Sequence, residues 1–344
     1  MAAISRERHS NIAYNQHIKD LYDRLKGLGF NANFIRATVL PDWWEDSLAS
    51  VPANRAMAEI AISRLLGLPI TDLRKPRASL KFPAMASFRL KRSGRTTHNE
   101  VRAAVLVAEK VAEIAADAMA GLPAFSAAMS AQEIRREILT KRPHVNLESL
   151  VEFCWGRGIV VLHVDPDRLP GKKFQGLAMF VDQRPVLILG SAKDSPPWLA
   201  FHLAHEVGHV FGKDVEPGDD PIVDGDIDKA DNSRQEHTAD RFATEVLTGK
   251  PTMEFRAAYG MTGPKLANAV RDYGLQNAFD PGTVALIYGR SAQRWGPAQI
   301  ALKCLGQSAG GKEIIADALA EHLDLSDLPE SAARFLSCLS SVPV

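Results

Sequence analysis

The chain has 344 residues, 46% of them apolar and 24% charged, which is long enough for two domains or one elaborated domain around a sizeable core. Its formal net charge is zero, but residues 1–110 hold 18 Lys/Arg against 10 Asp/Glu, a balance of +8 that leaves −8 for the remainder. A basic module joined to an acidic one fits that split. Cys154, Cys304 and Cys338 are odd in number and far apart, which excludes a disulfide scaffold and fits free thiols. The first residues lack the apolar stretch of a signal peptide, and no run of about 18 apolar residues occurs anywhere. A soluble, cytoplasmic protein without a membrane partner is expected.

Ser10 caps a predicted first helix through about residue 27, with Ile12, Ile18, Leu21, Leu25 and Leu28 at helical spacing before Gly27 and Gly29. Pro41, followed by Asp42, Glu45 and Asp46, reads as a helix start, and Trp43 and Trp44 read as core anchors. Ala53 to Leu66 is predicted amphipathic, with Met57, Ile60, Ala61, Leu65 and Leu66 on its apolar side and Gly67 at its end. A further helical turn at 68–73 gives this region a faint likeness to the last helices of small helix-turn-helix repressor domains. Residues 74–95 carry eight basic side chains and no acidic one, with Phe82 and Phe88 between them. Such a stretch attracts nucleic-acid phosphates weakly and without base readout; a solvated linker or hairpin is the plainer reading.

His98 to Ala120 is an Ala-rich helix, and Ser130 with Glu133 forms a capping box opening a helix to about Leu139. Leu147 to Arg157 is helical. Ile159–Val164, Gly176–Asp182 and Val186–Leu189 read as strands, the last two joined by Gln183-Arg184-Pro185 into an antiparallel hairpin. The free edge of such a hairpin can hold an extended peptide by strand addition.

The stretch Trp198–Val210 contains His205-Glu206-Val207-Gly208-His209, an H-E-x-x-H set among Leu199, Ala200, Phe201, Leu203, Ala204, Val207 and Val210. On a helix, positions i and i+4 share a face, so both imidazoles can grip one zinc ion while Glu206 stands beside them to take a proton from an activated water. Three polar groups in an apolar helix need a reason, because buried unpaired polar groups are costly, and a metal supplies one. Residues 213–235 are acidic and read as a surface loop. Asp224, Asp226 and Asp228 alternate as in calcium loops, but without the spacing and terminal Glu of an EF-hand.

A helix resumes over Gln235–Leu247, with Ala239, Phe242, Ala243, Val246 and Leu247 as its apolar face. Glu236 and Asp240 lie one turn apart on one side. Glu236 suits the role of third zinc ligand, and Asp240 suits a partner that orients a ligating imidazole. His237 is a rival ligand pointing about 100° away on the helix. His237 and Arg241 are the candidates for stabilising the transition state, and His202 reads as a core or supporting histidine. Helices over about 283–290, 297–305, 313–323 and 330–339 complete the chain as packing elements; His322, Cys304 and Cys338 form no ligand cluster.

The stretch Phe201-His-Leu-Ala-His-Glu-Val-Gly-His209, followed by Glu236-x-x-Ala239-Asp240-x-Phe242-Ala243, resembles the ImmA/IrrE family of metallo-endopeptidases over roughly residues 130–250. Here Val207 stands where the family has Leu, the acidic loop before Glu236 is longer, and Thr248-Gly249-Lys250-Pro251 replaces a Met-Pro continuation. The resemblance implies a gluzincin-type fold with zinc on His205, His209 and Glu236 and with Glu206 as general base. It also implies a protein substrate, a helix-turn-helix repressor or antitoxin often encoded nearby, whose cleavage releases genes of mobile elements or stress responses.

The expected fold is α+β: mostly helical and zincin-like, with a small antiparallel β-sheet and the H-E-x-x-H helix. The expected division is a basic, mostly helical module at 1–95, a zinc metallopeptidase domain at 96–255 and a helical extension at 256–344. The expected function is a zinc-dependent endopeptidase. The alternative is a DNA-binding or toxin–antitoxin-type regulatory protein with a structural or vestigial zinc site.

Overall fold

The computed structural model describes residues 18–76, 78–82, 88–91, 98–119, 121–126, 129–225, 234–340 and 342. Ser10, Ile12, much of the basic stretch, and Asp226 and Asp228 lie outside the described residues. In chain order the elements are α1 (18–26), α2 (Pro52–Leu66), β1 (Arg89–Lys91), α3 (His98–Asp117), α4 (Ala131–Leu139), α5 (Leu147–Gly156), β2 (Val160–His163), β3 (Gly176–Val181), β4 (Arg184–Leu189), α6 (Pro196–Phe211), β5 (Ile222–Asp224), α7 (Arg234–Thr248), α8 (Gly263–Asn277), α9 (Pro281–Ser291), α10 (Trp295–Leu305), α11 (Gly311–His322) and α12 (Glu330–Ser340).

The capping box opens α4 as expected: Ser130 accepts from the Glu133 amide while Glu133 accepts from the Ser130 amide. The β3–β4 hairpin turns on Asp182 and Gln183, and Asp182 takes a left-handed φ of 53°, a conformation that Asp tolerates better than most residues. Pairing runs from Val181 with Arg184 to Gly176 with Leu189.

The sheet is mixed rather than antiparallel, in the order β1-β5-β3-β4-β2. β2 lies parallel to β4, because residues 164–175 carry the chain past β4 before β3 begins. β5 pairs antiparallel with β3 and parallel with β1. Residues 222–224 are therefore a buried strand inside a stretch that reads, from its charge, as a surface loop.

Other readings fail on burial. No helix starts at Pro41; a 3₁₀ turn forms later, at Asp46–Ser50. Trp44 is buried and its indole N–H donates to Asp46, whereas Trp43 is 54% exposed. On α2, Met57 and Ile60 face outward, and the buried positions are Ala58, Glu59, Ile62, Leu65 and Leu66. Glu59 is buried because Arg74 reaches it at 3.1 Å, so the inward face carries an ion pair that apolar periodicity does not reveal. Helix α8 was not anticipated.

The largest apolar cluster draws on all three expected segments, from Ile18 and Leu21 through Val161, Ile188, Leu203 and Leu247 to Ile315, Phe335 and Leu339. A second, smaller cluster joins α8, α9 and α10 through Leu266, Val270, Ala285, Tyr288, Ala298 and Leu302. Arg334 of α12 fastens the chain's end to its beginning: its guanidinium donates to the Ala37 carbonyl at 2.9 Å and to Asp42 at 2.6 Å. Arg135 of α4 does the same between α7 and the smaller cluster, donating to the carbonyls of Leu247 at 2.8 Å and Ala278 at 2.7 Å. Of the basic stretch, Arg74 pairs with Glu59, Lys75 with Asp72 and Arg89 with Asp219. No helix among the described residues is long and apolar enough to cross a membrane.

Glu109 of α3 offers a test of this packing. Burial, with Glu113 and Asp220 nearby, pushes its carboxyl up from 4.5 to about 8. A carboxyl held neutral by the fold contributes stability that is complete below its unfolded value and is lost as pH rises through the folded one. Stability should therefore fall between 4.5 and about 8, and Glu109→Gln should flatten that fall, which urea denaturation at about pH 5 and about pH 9 will measure.

Candidate metal centre

Helix α6 starts at Pro196 and Pro197, whose fixed φ suits the first turn, and runs apolar through the interior. It carries His205, Glu206 and His209 to positions at most 1% exposed. Their ring Nε2 atoms lie 3.2 Å apart. Two further side chains converge on them. Glu236 comes from the first turn of α7, with Oε2 3.3 Å from His205 Nε2 and Oε1 3.6 Å from His209 Nε2. Asp224 comes from the end of β5, with Oδ2 2.8 Å from His205 Nε2 and 3.8 Å from His209 Nε2. One donor atom from each of the four residues lies within 4.8 Å of the others.

The elements come this close because α6 meets its neighbours at two glycines, its own Gly208 and Gly176 of β3. A Cβ on Gly208 would lie 3.2 Å from the Phe242 ring and 3.3 Å from Ala239 Cα, so this glycine lets α7 bring Glu236 alongside. A Cβ on Gly176 of β3 would lie 1.7 Å from Glu206 Oε1, so the bare glycine is the space Glu206 occupies. Near this end β3 and β4 are buried on both faces, with no alternation of exposed residues.

Each ligating ring is aimed from behind. Asp240, one turn along α7 from Glu236, sits 3.1 Å from His205 Nδ1, and its other oxygen accepts from Arg290 at 3.2 Å. Asp214 sits 2.9 Å from His209 Nδ1 and accepts from Gln235 at 2.9 Å. Carboxylates behind Nδ1 fix the proton there and turn both Nε2 lone pairs inward, as metal-ligating imidazoles require.

The electrostatics point the same way. Burial alone would lower the His205 imidazolium, but the Asp224 carboxylate overrides it and holds His205 well above its ordinary value. His209 is likewise pushed up to about 9 against its burial, by Asp214 and Asp224. Burial would raise Asp224; His205 and His209 hold it far below the usual carboxylate range. Glu206 is raised well above its ordinary value by burial and by Asp224. Neither oxygen of Glu206 or Asp224 has a hydrogen bond of ordinary geometry from the described residues. Carboxylates buried this deeply need positive charge at contact distance, from protonated imidazoles or from a cation. Donor atoms of a tetrahedral ion with bonds of about 2.0–2.1 Å stand about 3.3 Å apart, and the spacings here scatter around that value. The cluster can hold a metal ion.

Of the site residues anticipated, the structure gathers His205, His209 and Glu236 at the centre, Glu206 beside them and Asp240 behind His205. His237 and Arg241 are exposed on α7 and contribute no atom to the cluster. His202 is buried between Trp198 and Phe201, and burial drives its imidazolium down to about 3, so it is a neutral core residue. His322 stacks on Trp155 at 4.4 Å. Asp224 and Asp214 were missed. The signal for Asp224 was the apolar pair Ile222-Val223 between Pro221 and Gly225; that for Asp214 was an acid just past the helix-ending Gly212. Farther along β3, a cavity of about 600 Å³ opens beside Phe180, Val181, Val210 and Val215.

Comparison with protein-family models, curated proteins and solved structures finds no match to this chain.

Two substitutions test this arrangement. Asp214→Asn and Asp240→Asn should each weaken uptake of a divalent metal by about 10–100-fold, read by competition with a chromophoric chelator. Gly176→Ala should displace Glu206 and cost about 1–3 kcal/mol of stability, read by urea unfolding against wild type.

Proposed function

We propose that the chain is a zinc-dependent endopeptidase acting on a protein substrate. The observation that carries this reading is Glu206. It is a wholly buried carboxylate on the same helix as two imidazoles, each oriented from behind, and no described donor hydrogen-bonds to it. A structural metal site has no use for such a group, whereas hydrolysis needs a base poised near the attacked carbonyl.

Two histidines and a glutamate on two helices form the donor set of hydrolytic zinc sites, so His205, His209 and Glu236 would hold the ion. When bound, zinc supplies Lewis acidity to the attacking water and to the scissile carbonyl. Glu206 accepts the proton of the attacking water and delivers it to the leaving amine. Its burial raises its proton affinity toward the range in which it both accepts and returns a proton. Asp240 and Asp214 keep the two rings oriented throughout. Beyond Ala178, where its pairing with β5 stops, β3 continues through Met179–Val181 toward an extended substrate, and the cavity at Phe180 and Val181 accommodates one of its side chains. The substrate, a helix-turn-helix repressor or antitoxin from a neighbouring gene, rests on the sequence resemblance to ImmA/IrrE peptidases.

One observation favours a second reading. Asp224 completes a set of four protein donors, and closed four-donor sites are structural. On that reading the chain acts as a DNA-binding or toxin–antitoxin-type regulator by contact alone.

Incubation with the neighbouring gene's product separates the two. Cleavage that a chelator stops, and that Glu206→Gln reduces by about 10²–10⁴-fold while metal stays bound, is the expected result. Binding without cleavage, unaffected by Glu206→Gln, supports the regulator.

A further inference from the structure

Strand addition gives an extended substrate its place along β3, next to Glu206, and in this chain that place is taken. β5 lies there antiparallel, with Ile222, Val223 and Asp224 opposite Ala178, Leu177 and Gly176. The Gln175 amide donates to the Asp224 carbonyl at 2.9 Å, which extends the pairing past Gly176. From this position the Asp224 side chain drops into the cluster, 2.8 Å from His205 Nε2. Three protein donors leave a tetrahedral metal one open position for water and substrate. His205, His209 and Glu236 are those three, and Asp224 is the fourth.

Building on the peptidase reading, we propose that β5 is a resident plug. Its backbone occupies the strand position of an extended substrate, and Asp224 closes the coordination position that hydrolysis needs open. The site is then latent until a partner's extended segment displaces β5.

The plug is built to leave. β5 is three residues long, and its outer neighbour β1 is no longer. Its approach is held by the Arg89 amide donating to the Pro221 carbonyl at 2.7 Å, by the three-residue pairing with β1, and by an exposed pair, Arg89 and Asp219 at 3.5 Å, with a contact of 3.4 Å from Arg89 to the Asp220 carbonyl. Exposed pairs of this kind contribute little. Both β4 and β5 are buried interior strands, and they differ in length: β4 pairs along six residues, β5 along three. β3 has six residues, and β5 pairs with three of them. Met179, Phe180 and Val181 continue the same strand toward the cavity of about 600 Å³. A protein segment in extended form pairs first with that free half, places a side chain in the cavity, and then replaces β5 residue by residue. The chemistry that selects it is backbone pairing plus a side chain that fits a cavity with an apolar floor of Phe180, Val181, Val210 and Val215 and a charged rim of Asp182, Arg184, Lys213 and Glu216, so the activating partner is the substrate itself.

The test uses the full chain loaded with Co²⁺, whose visible spectrum reports the coordination sphere, and acetohydroxamate as a probe that needs an open position. Wild type, Asp224→Ala and Asp224→Asn are titrated in parallel. All three are expected to retain cobalt, and both variants to bind acetohydroxamate at least about tenfold more tightly, because the plug no longer competes. Loss of cobalt from the variants makes Asp224 an indispensable structural ligand and overturns the plug, as does unchanged hydroxamate affinity. Hydrogen exchange in the wild type decides the matter if the variants fail to fold: amides of residues 222–224 should exchange faster than those of β4, and equal protection overturns the proposal. Cleavage of casein is followed in the same samples. A variant that opens its site to hydroxamate but cuts neither casein nor the neighbouring gene's product leaves the plug standing and removes the peptidase reading. A wild-type chain that takes up no cobalt removes both.

Discussion

Helix α6 places two imidazoles and a carboxylate in an interior that offers almost no water, and the surrounding structure is arranged to offset that cost. The four positions His205, Glu206, His209 and Asp224 are all at most 1% exposed. Like charges gathered this tightly repel in low dielectric, and only opposite charge at contact distance compensates them. In the chain alone the compensation comes from protons on the imidazoles facing Asp224. A divalent cation does the same work with the protons released. The fold, the sheet order and the two glycines at helix contacts all serve to bring those groups within one coordination sphere.

Close approach is what makes the arrangement specific. Gly176 and Gly208 mark the two places where backbone meets a functional element without a side chain between. One admits the Glu206 carboxylate beneath β3; the other lets α7 lie on α6 so that Glu236 and Asp240 address both sides of His205. Two side chains one turn apart on α7 thus perform two tasks at one imidazole, one at Nε2 and one at Nδ1.

Much of this was legible in the sequence because helical periodicity survives translation into three dimensions. His205, Glu206 and His209 share a helix, Glu236 and Asp240 share another, and spacing alone assigns each pair a face. The helix at Ser130, the helix at Leu147 and the β3–β4 hairpin carried equally local signals. What was illegible depended on distant partners. Asp224 sits in a three-residue strand whose existence requires β3 and β1, and its acidic neighbours disguise it as loop. Asp214 reaches His209 because Lys213 takes a φ of 57° and the chain doubles back, so that the Asp214 amide donates to the His209 carbonyl at 2.9 Å. The inward face of α2 was misjudged because it buries Glu59 against Arg74 and leaves Met57 outside. Trp43 and Trp44, adjacent and alike, part company in the same way: Trp44 turns inward and donates to Asp46, while Trp43 stays outside against the Trp44 ring.

The Asp240 carboxylate is shared between His205 of the main core and Arg290, which belongs to α9 of the smaller one. Burial would raise that carboxylate, but the imidazole and the guanidinium together hold it below its ordinary value. If the α8–α10 unit shifts, Arg290 withdraws, and the whole charge of Asp240 falls on one ring. The donor strength of a metal ligand therefore registers how firmly a helical unit with no ligand of its own is seated, as a tuning peg sets the pitch of a string it never sounds.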